Sequence, residues 1–413
     1  MPSERASSER PSVAGARPPA TRAWLGLAAF YSASFAALAV YMQFFPVWLH
    51  DARGLDAAQV ASVLACLTVA RTLAGPLWAQ QVDRSGRPRR VLLTLSLLSL
   101  GSFCLYAAFD EPWGLGLASF LYGVAYPPMH PVLDAFASET ARHEGFSFGR
   151  LRVVGSLTFL GVVLAAGAWL ERHGSEFVYP LLLGLLAALS VVAALLPSGA
   201  REPQPSDRRP PMFALLKSRP FLWLLVASAV IQGSHAPYYN LSTVHWQAHG
   251  IGKGMAGAIW AVGVLAEIVL FWFARSTADR LRPTTLIAIG GAAAAVRWSI
   301  VGLSTELPAL FASSWLHALS FGCTYLGALR ALDRRVPPER RATAQGLLGA
   351  ASSGVGMVVG GLLGGLLYDR FAGGAFLAMA LWGVAGFLLA IHLRRLADKS
   401  QSDADASERA KPT

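Results

Sequence analysis

Charge is what this chain has least of. Asp, Glu, Lys and Arg make up 14% of its 413 residues, against about 25% in an ordinary soluble domain. With 54% apolar residues, that scarcity excludes a disordered chain. It also argues against a soluble enzyme, which at this length would divide into two or three cores joined by polar linkers. Cysteine is scarce too. Cys66, Cys104 and Cys323 lie inside apolar blocks without CxxC or Cys/His spacing, so neither a disulfide framework nor a zinc site is expected. The sequence has no Walker loop, no GxGxxG after a strand and no Ser/His/Asp nucleophile arrangement. ATP-driven transport and catalysis lack their parts, so the expectation is a non-enzyme with no cofactor and no metal. Residues 1–23 carry no signal-type cleavage pattern and read as a disordered cytoplasmic tail.

What the chain does have is apolar blocks of about 20 residues, the length that crosses ~30 Å of hydrocarbon. Twelve such spans are expected, at 24–49, 58–79, 91–109, 113–138, 151–170, 177–196, 220–247, 256–275, 284–303, 308–331, 342–367 and 374–393. The fourth contains Pro127, Pro128 and Pro131 and is expected to kink or break there. The net charge of +11 forms no single patch, so nucleic acid is not an expected partner. Of the 35 Lys and Arg, 28 fall in the tails and the loops on one side, 4 in the opposite loops and 3 within spans. That bias puts both termini in the cytoplasm. The expected layout is a tail (1–23), a six-helix bundle (24–196), a cytoplasmic loop (197–219), a second bundle (220–394) and a C-terminal tail (395–413).

The two bundles read as repeats. Asp83-Arg84 and Asp279-Arg280 each follow the second helix of their half and lie 196 residues apart, as do Arg71 and Glu267. Duplicated halves place a substrate site at their interface near the midplane. Around the first Asp-Arg pair the loop reads Asp83-Arg84-Ser85-Gly86-Arg87, with a degenerate copy at Asp279-Arg280-Leu281-Arg282. With twelve spans, this resembles the major facilitator superfamily, whose motif usually opens on a glycine where this chain has Ala79. The resemblance implies an all-α, twelve-helix membrane protein in two pseudo-symmetric halves, with Asp83, Arg84, Gly86, Arg87, Asp279 and Arg280 as a gating motif. Asp83 would accept hydrogen bonds at a helix N-terminus.

Ionisable residues within spans are costly, on the order of 2.5–3.5 kcal/mol each, and point to function. They are Arg71, Asp134, Arg152, Glu267, Arg297 and His317. At ~1.5 Å per residue, Arg71, Glu267, Arg297 and His317 fall near mid-membrane, with Asp134 and Arg152 nearer the cytoplasmic ends and able to pair. Such a set suits an anion-binding, proton-handling cavity. Val132-Leu133-Asp134 followed by Phe148-Gly149-Arg150-Leu151-Arg152 resembles the substrate-binding segments of lactose-permease-type proton symporters. Glu267, Arg297 and His317 resemble their recognition and coupling residues. Two positions depart from the sugar pattern: Phe159 stands where an aromatic platform is tryptophan, and Ser320 where the helix-10 carboxylate carries the proton.

A denser resemblance is to the 3-phenylpropionic acid transporter family. It runs through Gln232-Gly233-Ser234-His235-Ala236-Pro237-Tyr238-Tyr239, His245-Trp246-Gln247-Ala248, Gly263-Val264-Leu265-Ala266-Glu267, Val296-Arg297-Trp298 and Leu316-His317. It implies uptake of a small aromatic monocarboxylate with protons, driven by the proton gradient across a bacterial-type inner membrane. The chemistry agrees, since a carboxylate wants a guanidinium fork and a phenyl ring wants aromatic walls. Expected substrate-binding residues are Arg71, Asp134, Arg152, Phe159, Tyr238, Tyr239, Trp246 and Glu267, and expected proton-coupling residues are Glu267, Arg297 and His317. His235 is placed at the cavity, and His245 and His249 at the membrane interface. The expected partners are a small-molecule substrate, protons and the bilayer, with the protein a monomer. The alternatives are symport of a neutral sugar or nucleoside, and a non-transporting ligand sensor.

Overall fold

The structure, a computed structural model, describes residues 19–196, 212–277, 281–337 and 341–409. Among these there is no strand. The first half is built from α1 (Pro19–Asp51), α2 (Ala57–Ser85), α3 (Pro88–Cys104), α4 (Pro112–Glu144), α5 (Phe148–His173) and α6 (Val178–Leu195). The second comprises α7 (Arg219–Gly233), α8 (Ala236–Ala248), α9 (Lys253–Thr277), α10 (Pro283–Leu303), α11 (Leu307–His317), α12 (Thr324–Arg335), α13 (Arg341–Gly349), α14 (Met357–Phe371) and α15 (Gly374–Arg409). The surface is apolar where a bilayer would lie: Leu73, Leu77, Leu195, Leu303 and Leu381 are all exposed.

Among the described residues, nine helices are long and apolar enough to cross a membrane. The other three expected spans are also helical, and each has a physical reason for falling short. In α4 the three prolines and two tyrosines dilute the hydropathy. The seventh span is cut into α7 and α8 at Ser234-His235, because Pro237 in the first turn of α8 has no N–H to return to Gly233. The tenth is α11 and α12 joined by a π-helical turn, Ala318–Cys323; a second π turn, Ala350–Gly356, joins α13 to α14. Such turns concentrate at functional sites.

The expected break in α4 does not occur, and the helix runs unbroken through all three prolines. Pro128 removes the donor that Val124 O would have received, and Trp78 Nε1 fills the vacancy with a 2.8 Å hydrogen bond. The helix is therefore repaired from α2. The last apolar span, Gly374–Leu396, ends close to the expected 393, and the helix α15 continues beyond it to Arg409. Residues 1–18, 197–211 and 410–413, most of the expected tails and central loop, lie outside the described residues.

Within the first half α1 packs on α5 and α6, and α2 and α3 on α4; within the second, α10 and α7 pack on α15. The halves meet along α5 with α9, α2 with α14 and α1 with α8. Glycines make this closeness possible. A Cβ on Gly257 would lie 2.8 Å from Val163 O, and one on Gly365 2.8 Å from Ala57 O. In the eleventh span, Gly360 and Gly356 likewise pack backbone to backbone on α7 within the second half, a Cβ there lying 2.1 Å from Gly233 O and 2.4 Å from Ala229 O.

Candidate functional site

A cavity of about 590 Å³ lies between the halves. From the first half it receives α1, α2 and α5; from the second it receives α7 to α11 and both π turns. Two stripes with the same helical spacing form facing walls. On α1 the stripe passes from Tyr31 through Phe35 and Leu38 to Met42, with the last three at the cavity; on α9 it is Trp260, Val264, Glu267 and Phe271.

The second half supplies a buried, ordered network. Arg297 is 1% exposed, with its guanidinium 4.4 Å from the Tyr238 ring and 4.5 Å from the Trp298 ring, a cation–π contact to two adjoining rings. Its Nη1 donates to His317 Nδ1 at 2.9 Å. Arginine has only donors, so the neutral imidazole carries its proton on Nε2. That nitrogen faces Glu267 Oε2 at 3.7 Å, beyond hydrogen-bond length. Behind this row, His235 Nδ1 donates to Ile231 O at 3.0 Å and Nε2 accepts from Ser320 Oγ at 3.0 Å. Ser320, where the usual proton carrier would stand, is thus a fully buried partner of a histidine. Trp298 Nε1 donates to Ser234 Oγ at 2.8 Å and pins the break between α7 and α8.

The first half is looser. Arg152 lies with its guanidinium 4.5 Å from the Phe35 ring and Nη1 3.4 Å from Ser156 Oγ. Its Nε is 3.8 Å from Asp134 Oδ1, with the side chains 39% and 44% exposed. Asp134 is held instead by Tyr31 OH, which donates at 2.5 Å. Arg71 donates across the interface to the Ser353 carbonyl in the π turn. Neither Arg71 nor Arg297 has a carboxylate within ion-pair distance among the described residues.

Of the expected site residues, Arg71, Arg152, Phe159, Tyr238, Tyr239, Glu267, Arg297 and His317 line the one cavity. Asp134 is behind Arg152 rather than at the wall. Trp246 is fully buried and edge-on to Tyr238 at 5.7 Å, so it backs the wall without forming it. Tyr238 and Tyr239, successive residues of α8, both reach the cavity. His235 is sealed behind the cavity, not in it. His245 is 3% exposed and bonded to Tyr368 OH at 3.1 Å, so of the outer pair only His249 faces outward. In the gating motif, Gly86 ends α2 with φ 60°, a conformation that favours glycine, and Arg87 precedes α3 without capping it. Arg84 lies in the last turn of α2. The Asp83 side chain, Asp279 and Arg280 lie outside the described residues.

Such a cavity, between two pseudo-symmetric bundles with apolar exteriors, fits the family model that matches residues 24–378, described as the MFS_1 like family. The chain belongs to that family. It is thus a multi-pass membrane protein and a secondary transporter of the major facilitator type. It is 28% identical over 377 residues, 89% of this chain and 96% of the relative, to a probable 3-phenylpropionic acid transporter of Escherichia coli. It is 26% identical over 373 residues, 89% of this chain and 93% of the relative, to a maltose permease of Geobacillus stearothermophilus. The fold matches the crystal structure of the nucleoside transporter NupG with a TM-score of 0.81 at 15% identity, over 90% of this chain and 98% of that one.

Sequence reasoning missed the transporter's Tyr31, Phe35, Gln232 and Trp260. Tyr31 and Phe35 had a signal, the stripe along α1. Trp260 had the same signal in the stripe along α9, and Gln232 stood in the quoted family segment without a role.

Proposed function

We propose that this transporter carries a small aromatic monocarboxylate of the phenylpropionate type inward together with protons. The observation that carries the reading is a pair of cavity arginines, Arg71 and Arg297, with no carboxylate partner among the described residues, beside Tyr238, Tyr239 and Trp260. A buried guanidinium whose remaining donors face an open volume is matched by a carboxylate ligand, and the rings offer the phenyl group stacking partners. Glu267 exchanges the coupled proton, and His317, held by Arg297, is its neighbour in the row. The positive-inside bias puts both termini in the cytoplasm, in the inner membrane of a bacterial-type cell. The working unit is a monomer.

The test is a thermal-shift comparison on purified protein. A specific ligand at a hundredfold excess over Kd stabilises by about 2.7 kcal/mol. 3-Phenylpropionate is expected to raise the melting temperature, its amide to leave it unchanged, and Arg71→Gln to erase the response to the acid. Equal shifts from acid and amide would overturn the anion reading. Ser156, Gln232, Arg152 and Glu267 share the cavity and offer hydroxyl-binding groups, which favours a neutral sugar or nucleoside as the second reading. A shift from maltose or a nucleoside, with none from the acid, would select it.

A further inference from the structure

At the end of the molecule carrying residues 51–57, 173–178, 248–253 and 371–374, the halves are joined by two hydrogen-bonded contacts of one design. Asp369, at the end of α14, accepts from the amides of Ala57 and Ala58 in the first turn of α2, at 3.0 Å to each carboxylate oxygen. Glu171, at the end of α5, accepts from the amide of Gly254 in the first turn of α9 at 3.1 Å. The participants correspond in the repeat. Ala58 and Gly254 are 196 residues apart, the spacing of Arg71 and Glu267; Glu171 and Asp369 are 198 apart. Each acid also follows a glycine by four residues, Gly167 and Gly365, themselves 198 apart. A Cβ on Gly167 would lie 2.9 Å from Lys253 O, and one on Gly365 2.8 Å from Ala57 O.

We propose that Glu171 and Asp369 are a duplicated pair of latches that hold this end of the transporter shut by capping, from the opposite half, the helices that must swing away when it opens. The helix starts are built to need them. In α2, Asp56 caps only the amide of Gln59, leaving those of Ala57 and Ala58 to Asp369. In α9 the residue before the first turn is Gly252, which has no side chain to cap with, and a Cβ there would lie 2.2 Å from Glu171 Oε1. Glycine at 252 both leaves α9 uncapped and makes room for the carboxylate that caps it. When the halves separate, both helix starts lose charge-assisted bonds to water, so each latch biases the same two-state equilibrium toward the closed end.

The design offers a test that separates a latch from mere helix stabilisation. Gly252→Asp gives α9 a cap of its own while displacing Glu171, so the helix stays capped and the latch is released. Asp369→Asn weakens the other. In protein with Cys66, Cys104 and Cys323 replaced by serine, spin labels on Ala52→Cys and Ala248→Cys, one in each half, report the distance across this end in nanodiscs. The parent is expected to show one short distance. Each latch variant should raise the ratio of open to closed populations about three- to tenfold, and the double variant should raise it by the product. Asp369→Glu should stay closed. An unchanged distance distribution in the double variant, or opening by Asp369→Glu equal to that by Asp369→Asn, would overturn the proposal. If the double variant fails to fold, Gly252→Asp alone decides: a higher melting temperature without opening means that the contacts only cap helices.

Discussion

The two halves of the cavity repeat one fold and differ in how their charges are held. In the second half Arg297, His317 and Glu267 form a row whose side chains are nearly closed off, with Glu267 26% and His317 11% exposed. In the first half Arg152 and Asp134 are 39% and 44% exposed and stand 3.8 Å apart. Repeat-equivalent positions have even taken opposite sign, Arg71 in α2 and Glu267 in α9. The sealed end, by contrast, kept its acids and glycines in both copies. The hydrogen bond from Arg297 fixes His317 in the second half, whereas a half-exposed Arg152 over the Phe35 ring is free to turn at small cost.

The largest expected effect breaks that contrast at Glu267. Glu267→Gln mimics the protonated carboxyl and keeps its size. It should bind substrate and exchange it in proteoliposome counterflow, yet fail to concentrate it against a gradient. Full accumulation by Glu267→Gln in response to a pH gradient would move the coupling site to the first half, with Asp134 the next residue to neutralise. His317→Gln should give a milder loss in the same assay, because the imidazole lies between Glu267 and Arg297 without being either end.

Which charges stand near mid-membrane is legible in the sequence, and how each half holds them is not, for a physical reason. Midplane charges stand out because hydrocarbon makes them costly, so Arg71, Glu267, Arg297 and His317 were found by depth alone. Depth says nothing about rotation around the helix. Trp246 and Tyr238 are eight residues apart, close to one helix face, yet Tyr238 touches the cavity and Trp246 touches Tyr238 from behind. Long-range repair is equally invisible: nothing local to Pro128 announces that Trp78, 50 residues earlier, will satisfy Val124. Tyr31 was missed because its hydroxyl matters only once Asp134, 103 residues away, is beside it.

The intermediate effect concerns Asp134 and Arg152. Were both buried, neutralising one would cost roughly 3–5 kcal/mol. At their exposure and separation the pair is nearer a surface one, worth about 0–1 kcal/mol. Asp134→Asn should therefore fold with a melting temperature close to the parent's, and Arg152→Gln should fold but lose uptake. The double neutral variant should express and not transport. Uptake by that double variant would show that the first half's charges are structural and would erase the functional contrast between the halves.

The smallest effect tests whether the wall ends where the cavity residues end. Trp246 is fully buried and its Nε1 has no hydrogen-bond partner. Trp246→Phe therefore removes an unsatisfied donor, a gain of order 1 kcal/mol, and opens a void behind Tyr238, a loss of similar or somewhat larger size. The two nearly cancel, so the melting temperature should fall by only a few degrees. Substrate affinity should change less than about twofold, because Tyr238 stays stacked at 5.2 Å on Trp260 and under Arg297. Calorimetric Kd values for parent and Trp246→Phe settle it. A tenfold loss of affinity with an unchanged melt would make Trp246 part of the ligand's own wall, and the second half's site would then extend a layer deeper than its lining.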